Sequence, residues 1–219
     1  TEAGRSFEIT AEITLGVRTV ALYDFEASGN EGWSVGAPNN ASTGEWTRVD
    51  PNGTEAQPEN DFSVDPGTHC WVTGQGSVGG SSGANDVDGG STTLVSPAFD
   101  LSGSQSASLR YARWYSNDSG ASPGADIFQV DLSDDGGITW VSAEVVGPTG
   151  PGTGGGWEEV ELDIAQFVGL TDSVRVRFIA SDLGSGSIVE AAIDDVEVLS
   201  VDIVTCTQPV NYCPLTPNQ

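Results

Sequence analysis

The chain has 219 residues, with 32 Asp and Glu against seven basic residues, and its formal net charge is −25. A surface this acidic repels nucleic acid and anionic membranes, so neither is expected as a partner. The sequence contains no run of 18 apolar residues, which argues against insertion into a bilayer.

The pattern along the chain is that of β-strands rather than helices. The 29 Gly and 11 Pro residues interrupt the chain too often for a helical period to persist. Apolar residues alternate with polar ones instead, as where Val160, Leu162 and Ile164 alternate with acidic residues. In chain order, the candidate strands are 7–15, 17–26, 70–74, 92–96, 108–116, 128–132, 138–146, 160–164, 174–180 and 188–199. Short strands joined by Gly-, Ser- and Pro-rich loops predict an all-β fold, a two-sheet jelly-roll β-sandwich.

The two ends of the chain differ from the middle. We interpret residues 1–16 as an N-terminal strand or the remnant of a preceding domain, because Gly16 separates this strand pattern from the next. Residues 17–200 are predicted to form the β-sandwich, and a single domain of this size is common among sandwiches. The polar, Pro-rich residues 201–219 predict a linker into a following domain.

The three cysteines point to an oxidising compartment. Cys206 and Cys213 flank a Pro-containing hexapeptide and could close a small loop, which is typical of secreted proteins. The remaining cysteine, Cys70, lies beside Trp71 and Val72, which predicts a buried, inert thiol. We therefore expect a secreted, extracellular or cell-surface location.

A turn motif lies at residues 133–140, which fit the Asp-box pattern Ser-x-Asp-x-Gly-x-Thr-Trp of secreted β-hairpins. Asp135 is expected to accept hydrogen bonds from turn amides, and Gly136 or Gly137 to supply a positive φ. Trp140 is expected to pack back over the hairpin. These roles are local, and the motif predicts a structural turn.

Catalytic patterns are weak, and the sequence predicts no enzyme. Gly79-x-Ser81-x-Gly83 resembles a nucleophile elbow but lies in a Gly/Ser loop with no helix after it, and His69 is the only imidazole in the chain. A single His excludes the usual zinc sites. The many carboxylates lack the apolar surroundings that would raise the pKa of a general acid.

An ordered run of motifs carries a family resemblance over residues 20–199. The motifs are 23–26, 32–33, 70–74, 83–90, 93–102, 109–117, 133–140, 177–182 and 187–196. Together they resemble the MAM-like jelly-roll modules of bacterial secreted metallopeptidases of the zinc carboxypeptidase and immune inhibitor A types. The resemblance implies a concanavalin-like or galactose-binding-like sandwich that serves as a noncatalytic, calcium-stabilised accessory module. The zinc motif of the peptidases themselves is absent.

A calcium site is predicted where the first and last strands of the sandwich meet. If Ile193 and Val196 both face inward, one extra residue must be inserted at Asp194-Asp195, which predicts a β-bulge. The bulge would turn both carboxylates toward Glu26, and similar sandwiches hold a structural calcium between these strands.

A second acidic loop has ligand spacing of its own. Asp86 and Asp88 lie in an Asp-x-Asp-Gly loop that suits calcium, whether they share the first ion or hold another. Calcium is the one cofactor that the sequence suggests.

A ligand platform is predicted on the strand 109–117 and the loop after it. Each face of this strand has an aromatic residue and an Arg, so the face outside the core presents a ring beside a guanidinium. The predicted ligand-binding residues are Arg113, Trp114, Tyr115, Asn117 and Asp118. The alternative is a ring half covered by a neighbouring loop, with the Arg paired to an outward acid such as Glu190.

Two classes of function fit these observations. The first is an interaction module, adhesive or binding a polysaccharide or cell-surface glycan, that works beside neighbouring domains of a longer chain. The second is a structural spacer or filament subunit that self-associates through its N-terminal strand or C-terminal tail.

Overall fold

The computed structural model describes residues 6–63, 66–184 and 186–211, and for 6–15 and 203–211 it describes the backbone. Eleven strands and one 3₁₀ turn, Ile164–Gln166, make up the regular structure of these ranges. The strands are β1 Ser6–Tyr23, β2 Ser34–Gly36, β3 Trp46–Val49, β4 Cys70–Thr73, β5 Gly90–Val95, β6 Ser104–Gly120, β7 Phe128–Ser133, β8 Val141–Val146, β9 Gly154–Asp163, β10 Arg175–Asp182 and β11 Ser187–Asn211. None of the described helices is long and apolar enough to cross a membrane.

The strands form two antiparallel sheets. The six-stranded sheet has the order β3-β4-β11-β6-β9, with β1 also paired to β11, and the five-stranded sheet has the order β2-β5-β10-β7-β8. The prediction of an all-β, two-sheet sandwich is confirmed.

The main core lies between the two sheets and consists of inward-facing residues. On β6, Leu109, Tyr111 and Tyr115 are almost fully buried, as period-two alternation requires. Phe128 of β7 stacks on Phe178 of β10, with ring centroids 6.3 Å apart. Burial of each large apolar side chain contributes about 1.5–3 kcal/mol. The sandwich is therefore held by hydrophobic contacts between sheets that are remote in sequence.

The predicted β-bulge in β11 is confirmed. The register of β11 against β6 shifts between Asp194 and Glu197, and Asp195 adopts a left-handed conformation with φ of 46°. Ile193 and Val196 are both fully buried, because the extra residue restores the inward alternation.

The two ends of the described chain pair with each other. β1 runs antiparallel to β11 from the pair Ser6 and Asn211 to the pair Tyr23 and Val196. Residues 201–211, predicted as the start of a linker, therefore continue the last strand. Sequence composition misled here because a partner strand supplies backbone hydrogen bonds to a segment that looks irregular alone. Cys213 lies outside the described residues, so the loop it could close with Cys206 stays a prediction.

The long loop between β3 and β4 packs on the outer face of the six-stranded sheet. Trp114 Nε1 donates to the backbone oxygen of Ala56 at 2.7 Å, and Trp157 Nε1 donates to that of Asn60 at 3.2 Å. Beneath the loop lies a second small core that contains Cys70. Cys70 is a free, buried thiol as predicted, and its burial raises its pKa well above the ordinary value. The loop leaves one part of the outer face open.

Candidate functional site: an outer groove and two acidic loops

The open part of this outer face is a groove of about 620 Å³, called the outer groove below. Its floor is the small side chain of Ala112, whose neighbour at the next outward position of β6 is Arg110. The groove is lined by Leu22, Asp24, Phe62, Arg110, Tyr111, Ala112, Glu159, Val160, Glu161, Asp195 and Glu197. Its walls come from β1, β9, β11 and the β3–β4 loop, so together with the β6 floor it is assembled from five separate segments.

One wall of the outer groove is aromatic. Phe62 packs on Trp157 with ring centroids 5.8 Å apart, and Trp157 in turn meets Trp114 edge-on at 6.1 Å. The backbone N–H of Phe62 donates to Asp194 Oδ2 at 2.8 Å. The buried carboxylate of Asp194 therefore fixes the loop that presents the Phe62 ring.

The groove carries one cation among several carboxylates. Half-exposed Arg110 donates to Glu161 at 3.2 Å and lies 3.9 Å from Glu197. Asp24, Glu159 and Asp195 add carboxylates without an ion-pair partner in the described part of the chain. The groove thus offers fixed hydrogen-bonding groups under a negative potential, which disfavours anionic ligands.

The first predicted calcium ligands lie around residues 61–63 and 66–69, the described parts of the segment called the 61–69 loop below. Asp194 is fully buried, and this burial, with a contribution from the charge of Asp195, raises its pKa to about 7. Asp194 Oδ2 accepts from the backbone N–H groups of Phe62 and Ser63, and Ser63 Oγ donates to Asp195 Oδ1 at 2.8 Å. Glu26 Oε1 accepts from the N–H groups of two residues at the other end of the loop, Thr68 and His69. The three acids therefore tie down a single loop.

Their oxygens suit calcium in type but are not gathered as a coordination shell. Within the described residues, no group of three or more His, Cys, Asp or Glu side chains is placed to hold a metal ion. Gly67 lies between Asp61 and Glu26, because a Cβ there would lie 2.5 Å from Asp61 Oδ2 and 3.6 Å from Glu26 Oε1. Binding of calcium by Glu26, Asp194 and Asp195 would require the loop amides to release carboxylate oxygens.

The second predicted pair, Asp86 and Asp88, lies elsewhere in the molecule. The N–H of Val87, the residue between the two acids, donates to the carbonyl of Val189 on β11. Val189 and Asp194 are five residues apart along that strand, which separates them by about 16 Å. Burial, reinforced by the charge of Asp88, raises the pKa of Asp86 to about 6. The structure therefore does not bring Asp86 and Asp88 to the acids around the 61–69 loop.

The five residues predicted as a ligand platform are divided between the two faces of β6. Tyr115 and Asn117 are fully buried, and Arg113 is nearly so. Trp114 faces outward under the β3–β4 loop, and Asp118 is exposed. The five side chains do not share one surface.

The ion pairs of Arg113 also differ from the alternative that the sequence suggested. Arg113 Nε and Nη2 bind Glu144 at 3.1 Å and Glu158 at 2.9 Å. The acid named for that role, Glu190, is buried and accepts from Thr73 Oγ1 at 2.9 Å.

The Asp-box turn is confirmed as a local structural motif. Asp135 Oδ1 accepts from the N–H groups of Ile138 and Thr139, both at 2.9 Å, and Gly136 and Gly137 have positive φ. Trp140 packs back over the turn. The guanidinium carbon of Arg177 lies 4.5 Å from the centroid of the Trp140 ring.

Of the residues that line the outer groove, sequence reasoning named Asp195 alone as a site residue, and as a calcium ligand. Arg110 and Ala112 lie on the same outward face of β6 as Trp114, because side chains alternate between the two faces of a strand. This alternation was the one signal that could have found them. Phe62 and Leu22 carried no such signal, because their positions depend on a loop packing and on a strand pairing between distant parts of the chain.

Solved structures similar to this chain share its two-sheet fold. The K3 cleaved adhesin domain of Lys-gingipain from Porphyromonas gingivalis has a TM-score of 0.52 and 15% identity, and the match covers 84% of this chain and 99% of that domain. The family 11 carbohydrate-binding module from Clostridium thermocellum, solved with a mixed-linked tetrasaccharide, has a TM-score of 0.46 and 12% identity over 84% and 95% of the two chains.

A xylan-binding domain from Paenibacillus barcinonensis has a TM-score of 0.44 and 12% identity over 84% and 96% of the two chains. The sequence matches no protein-family model and no curated protein. At these identities the similarity shows the fold, a β-sandwich of the kind found in adhesin and carbohydrate-binding domains.

Proposed function

We propose that this chain is a noncatalytic interaction module of a secreted or cell-surface protein, and that it binds a neutral glycan in the outer groove. The observation that carries the proposal is the groove itself, in which an aromatic wall at Phe62 faces hydrogen-bonding groups at Arg110 and Glu161. The adhesin domain with the same fold supports an adhesive role. The MAM-like resemblance remains an expectation beside it.

The chemistry of a sugar ring fits the groove. A pyranose has an apolar face that packs on an aromatic ring, and a rim of hydroxyls that both donate and accept hydrogen bonds. Phe62 supplies the first contact, while Arg110 donates and Glu159 and Glu161 accept. The small side chain of Ala112 leaves the floor low enough for an extended ligand.

The charge of the groove selects among glycans. Five carboxylates, those of Asp24, Glu159, Glu161, Asp195 and Glu197, surround a single Arg. A uronate or sulfate on the ligand would meet like charge and be disfavoured. The ligand is therefore a neutral glycan rather than an acidic one.

Affinity electrophoresis in gels that contain soluble neutral polysaccharides, such as mixed-linked β-glucan and arabinoxylan, tests this proposal. We expect retardation by at least one neutral polymer and none by polygalacturonate or chondroitin sulfate. Phe62→Ala and Arg110→Gln should each weaken binding at least tenfold, because about 1.4 kcal/mol of lost contact is a factor of ten.

The matched control is Ile138→Ala. Like Phe62, Ile138 is apolar, but it is exposed on the Asp-box turn, away from the outer groove. Equal loss of binding in all three variants, or binding of none of a broad panel of neutral polysaccharides, would exclude the outer groove as a glycan site.

We also propose that calcium stabilises the module at the 61–69 loop through Glu26, Asp194 and Asp195. The ion would supply positive charge to carboxylates that now accept hydrogen bonds from loop amides and from the Ser63 hydroxyl, and would hold the loop that presents Phe62. A ligand bound to the folded state raises stability by mass action, by about 2.7 kcal/mol at a hundred times its Kd.

Thermal melts in calcium and in chelator measure this effect. We expect a higher melting temperature in calcium for the wild type, and a smaller gain for Glu26→Gln and Asp195→Asn. Asp118→Asn is the control, because Asp118 is exposed and remote from the loop. Identical melts in calcium and chelator for the wild type would contradict the proposal.

The alternative function, a spacer or assembly subunit, draws on the paired ends of β1 and β11. Beyond the pair of Ser104 and Asp202, where β6 begins, β1 and β11 continue as a two-stranded ribbon to Ser6 and Asn211. Such a ribbon has free edges that could accept a strand from another copy. Light scattering at increasing protein concentration separates the two functions. An assembly subunit should form larger particles as the concentration rises, and a protein that stays monomeric would contradict assembly through this ribbon.

A further inference from the structure

Two buried carboxylates face each other at one end of the sandwich, away from the outer groove. Ala180 of β10 pairs with Phe128, the first residue of β7, and the same antiparallel register would set Asp182, two residues later on β10, opposite Asp126, which lies two residues before β7 begins. Asp126 is 5% exposed and Asp182 is 1% exposed. The N–H of Leu183, the residue after Asp182, donates to Asp126 Oδ1 at 2.8 Å, which confirms the close approach of the two strand ends.

Three buried oxygen atoms at this end have no hydrogen-bond partner within the described residues. They are Asp126 Oδ2, the Tyr115 hydroxyl and Asn117 Oδ1, and both Tyr115 and Asn117 are fully buried. The orientation of the Asn117 amide is fixed, because its Nδ2 donates to the backbone oxygens of Asp126 and Pro148 at 2.7 and 3.2 Å. A buried polar atom without a partner costs about 1–3 kcal/mol, so three together at one place call for a ligand.

The local charge is uncompensated. Among the described residues, no Arg or His forms an ion pair with Asp126 or Asp182. Unpaired buried carboxylates are strongly destabilising unless a cation joins them.

We propose that Asp126, Asp182 and Asn117 form a binding site for a divalent cation with the ligand preferences of calcium. Two carboxylates and an amide oxygen are typical calcium ligands. Because the site has two acids and an amide, it differs from a site built on three or more acidic side chains, of which the described chain has none.

This site is distinct from the proposed one at the 61–69 loop. Asp182 is the last residue of β10 and precedes the start of β11 at Ser187 by five residues, and Ser187 is seven strand positions from Asp194, or about 23 Å along β11. The cation would join β6 of one sheet to β10 of the other and to the segment that precedes β7, where the sheets would otherwise separate. Its loss should leave the glycan-binding groove intact, so the two proposals fail independently.

Calcium titration of the full chain by calorimetry tests the site. We expect Asp126→Asn and Asp182→Asn each to bind one Ca²⁺ fewer than the wild type, while Asp118→Asn, an exposed neighbour, binds the same number. In chelator, Asp126→Asn should be at least as stable as the wild type, because the substitution removes an unpaired buried charge. Unchanged stoichiometry and an unchanged calcium-dependent rise in melting temperature in both buried variants would overturn the proposal.

A second measurement decides the matter even if these variants fail to fold. Wild-type crystals grown in calcium and soaked in Tb³⁺ should show an anomalous peak within about 2.6 Å of Asp126 Oδ2 and an Asp182 oxygen. A map with water alone at this position, or with a peak confined to the 61–69 loop, would show that the buried oxygens are satisfied by solvent or a shared proton and would overturn the site.

Discussion

Glu190 shows how a single residue can set the pH dependence of the whole fold. Its carboxyl group is buried in the six-stranded sheet, where Thr73 Oγ1 donates to it and in turn accepts from the N–H of Ala191. Burial, with a contribution from the charge of Asp86, raises the pKa of Glu190 to about 9. The folded state therefore keeps a proton here at neutral pH that the unfolded state, with its ordinary pKa of 4.5, has released.

The free energy of unfolding should consequently fall as pH rises from about 5 to about 9, because the folded state binds more protons across that range. Glu190→Gln keeps the shape and can still accept from Thr73 without needing a proton. We expect this variant to be more stable than the wild type at pH 8 by at least about 1 kcal/mol and to have a flatter pH profile. Urea unfolding at several pH values measures the difference.

Glu159→Gln, on the exposed face of β9, is the matched control and should reproduce the wild-type profile. Parallel profiles for the wild type and Glu190→Gln would show that Glu190 is ionised in the folded state.

How far a residue's role is predictable from sequence depends on where its partners lie. Asp135 is held by residues within four positions of itself, so its motif was sufficient to predict its hydrogen bonds. Arg113 and Glu190 depend on strands 31 and 117 residues away, so sequence alone predicted neither the ion pair with Glu144 nor the bond to Thr73. Alternation placed Arg113 on a face but could not say which face was core.

At the scale of the element, the bulge in β11 connects the core to the proposed calcium loop. Asp195 has φ of 46°, a conformation that Asn and Asp tolerate and β-branched residues avoid. Asp195→Val should therefore lower the free energy of unfolding by about 1–3 kcal/mol, whereas Asp195→Asn should lower it much less. The comparison is made by urea unfolding in chelator, so that bound calcium does not contribute.

The same pair of variants separates backbone strain from the lost hydrogen bond with Ser63, because the amide oxygen of Asn can still accept it. If Val and Asn prove equally stable at position 195, the left-handed conformation is not maintained in solution and the bulge contributes nothing to the register of β11.

The elements divide into those that local pattern predicts and those that only long-range pairing explains. Strands such as β7 and β10 were predicted within a few residues because both keep strict alternation around buried Phe128 and Phe178. The continuation of β11 to Asn211 depends on β1, which lies at the opposite end of the sequence. The outer groove arises where five such segments meet, and for that reason sequence reasoning predicted a binding face but not this site.

At the scale of the whole molecule, the arginines are used internally and leave the acidic excess unneutralised. Every Arg in the described part of the chain has an intramolecular acceptor. The partners are Asp202 for Arg18, the backbone oxygens of Phe25 and Ala27 for Arg48, Glu161 for Arg110, Glu144 and Glu158 for Arg113, the backbone oxygen of Ser96 for Arg175, and Asp131 for Arg177. With a formal net charge of −25, the folded state therefore experiences strong self-repulsion.

Screening of this repulsion should stabilise the fold. The Debye length falls from about 30 Å at 0.01 M salt to about 3 Å at 1 M, so repulsion between distant carboxylates largely disappears over that range. We expect the melting temperature in chelator to rise steadily with KCl, and CaCl₂ at matched ionic strength to raise it further, because bound ions add a site-specific gain to screening. Scanning calorimetry across both series separates the two effects. A melting temperature independent of KCl would mean that the carboxylates are already neutralised by protons. If the KCl and CaCl₂ series coincide, calcium stabilises the fold by charge screening alone and the calcium sites are contradicted.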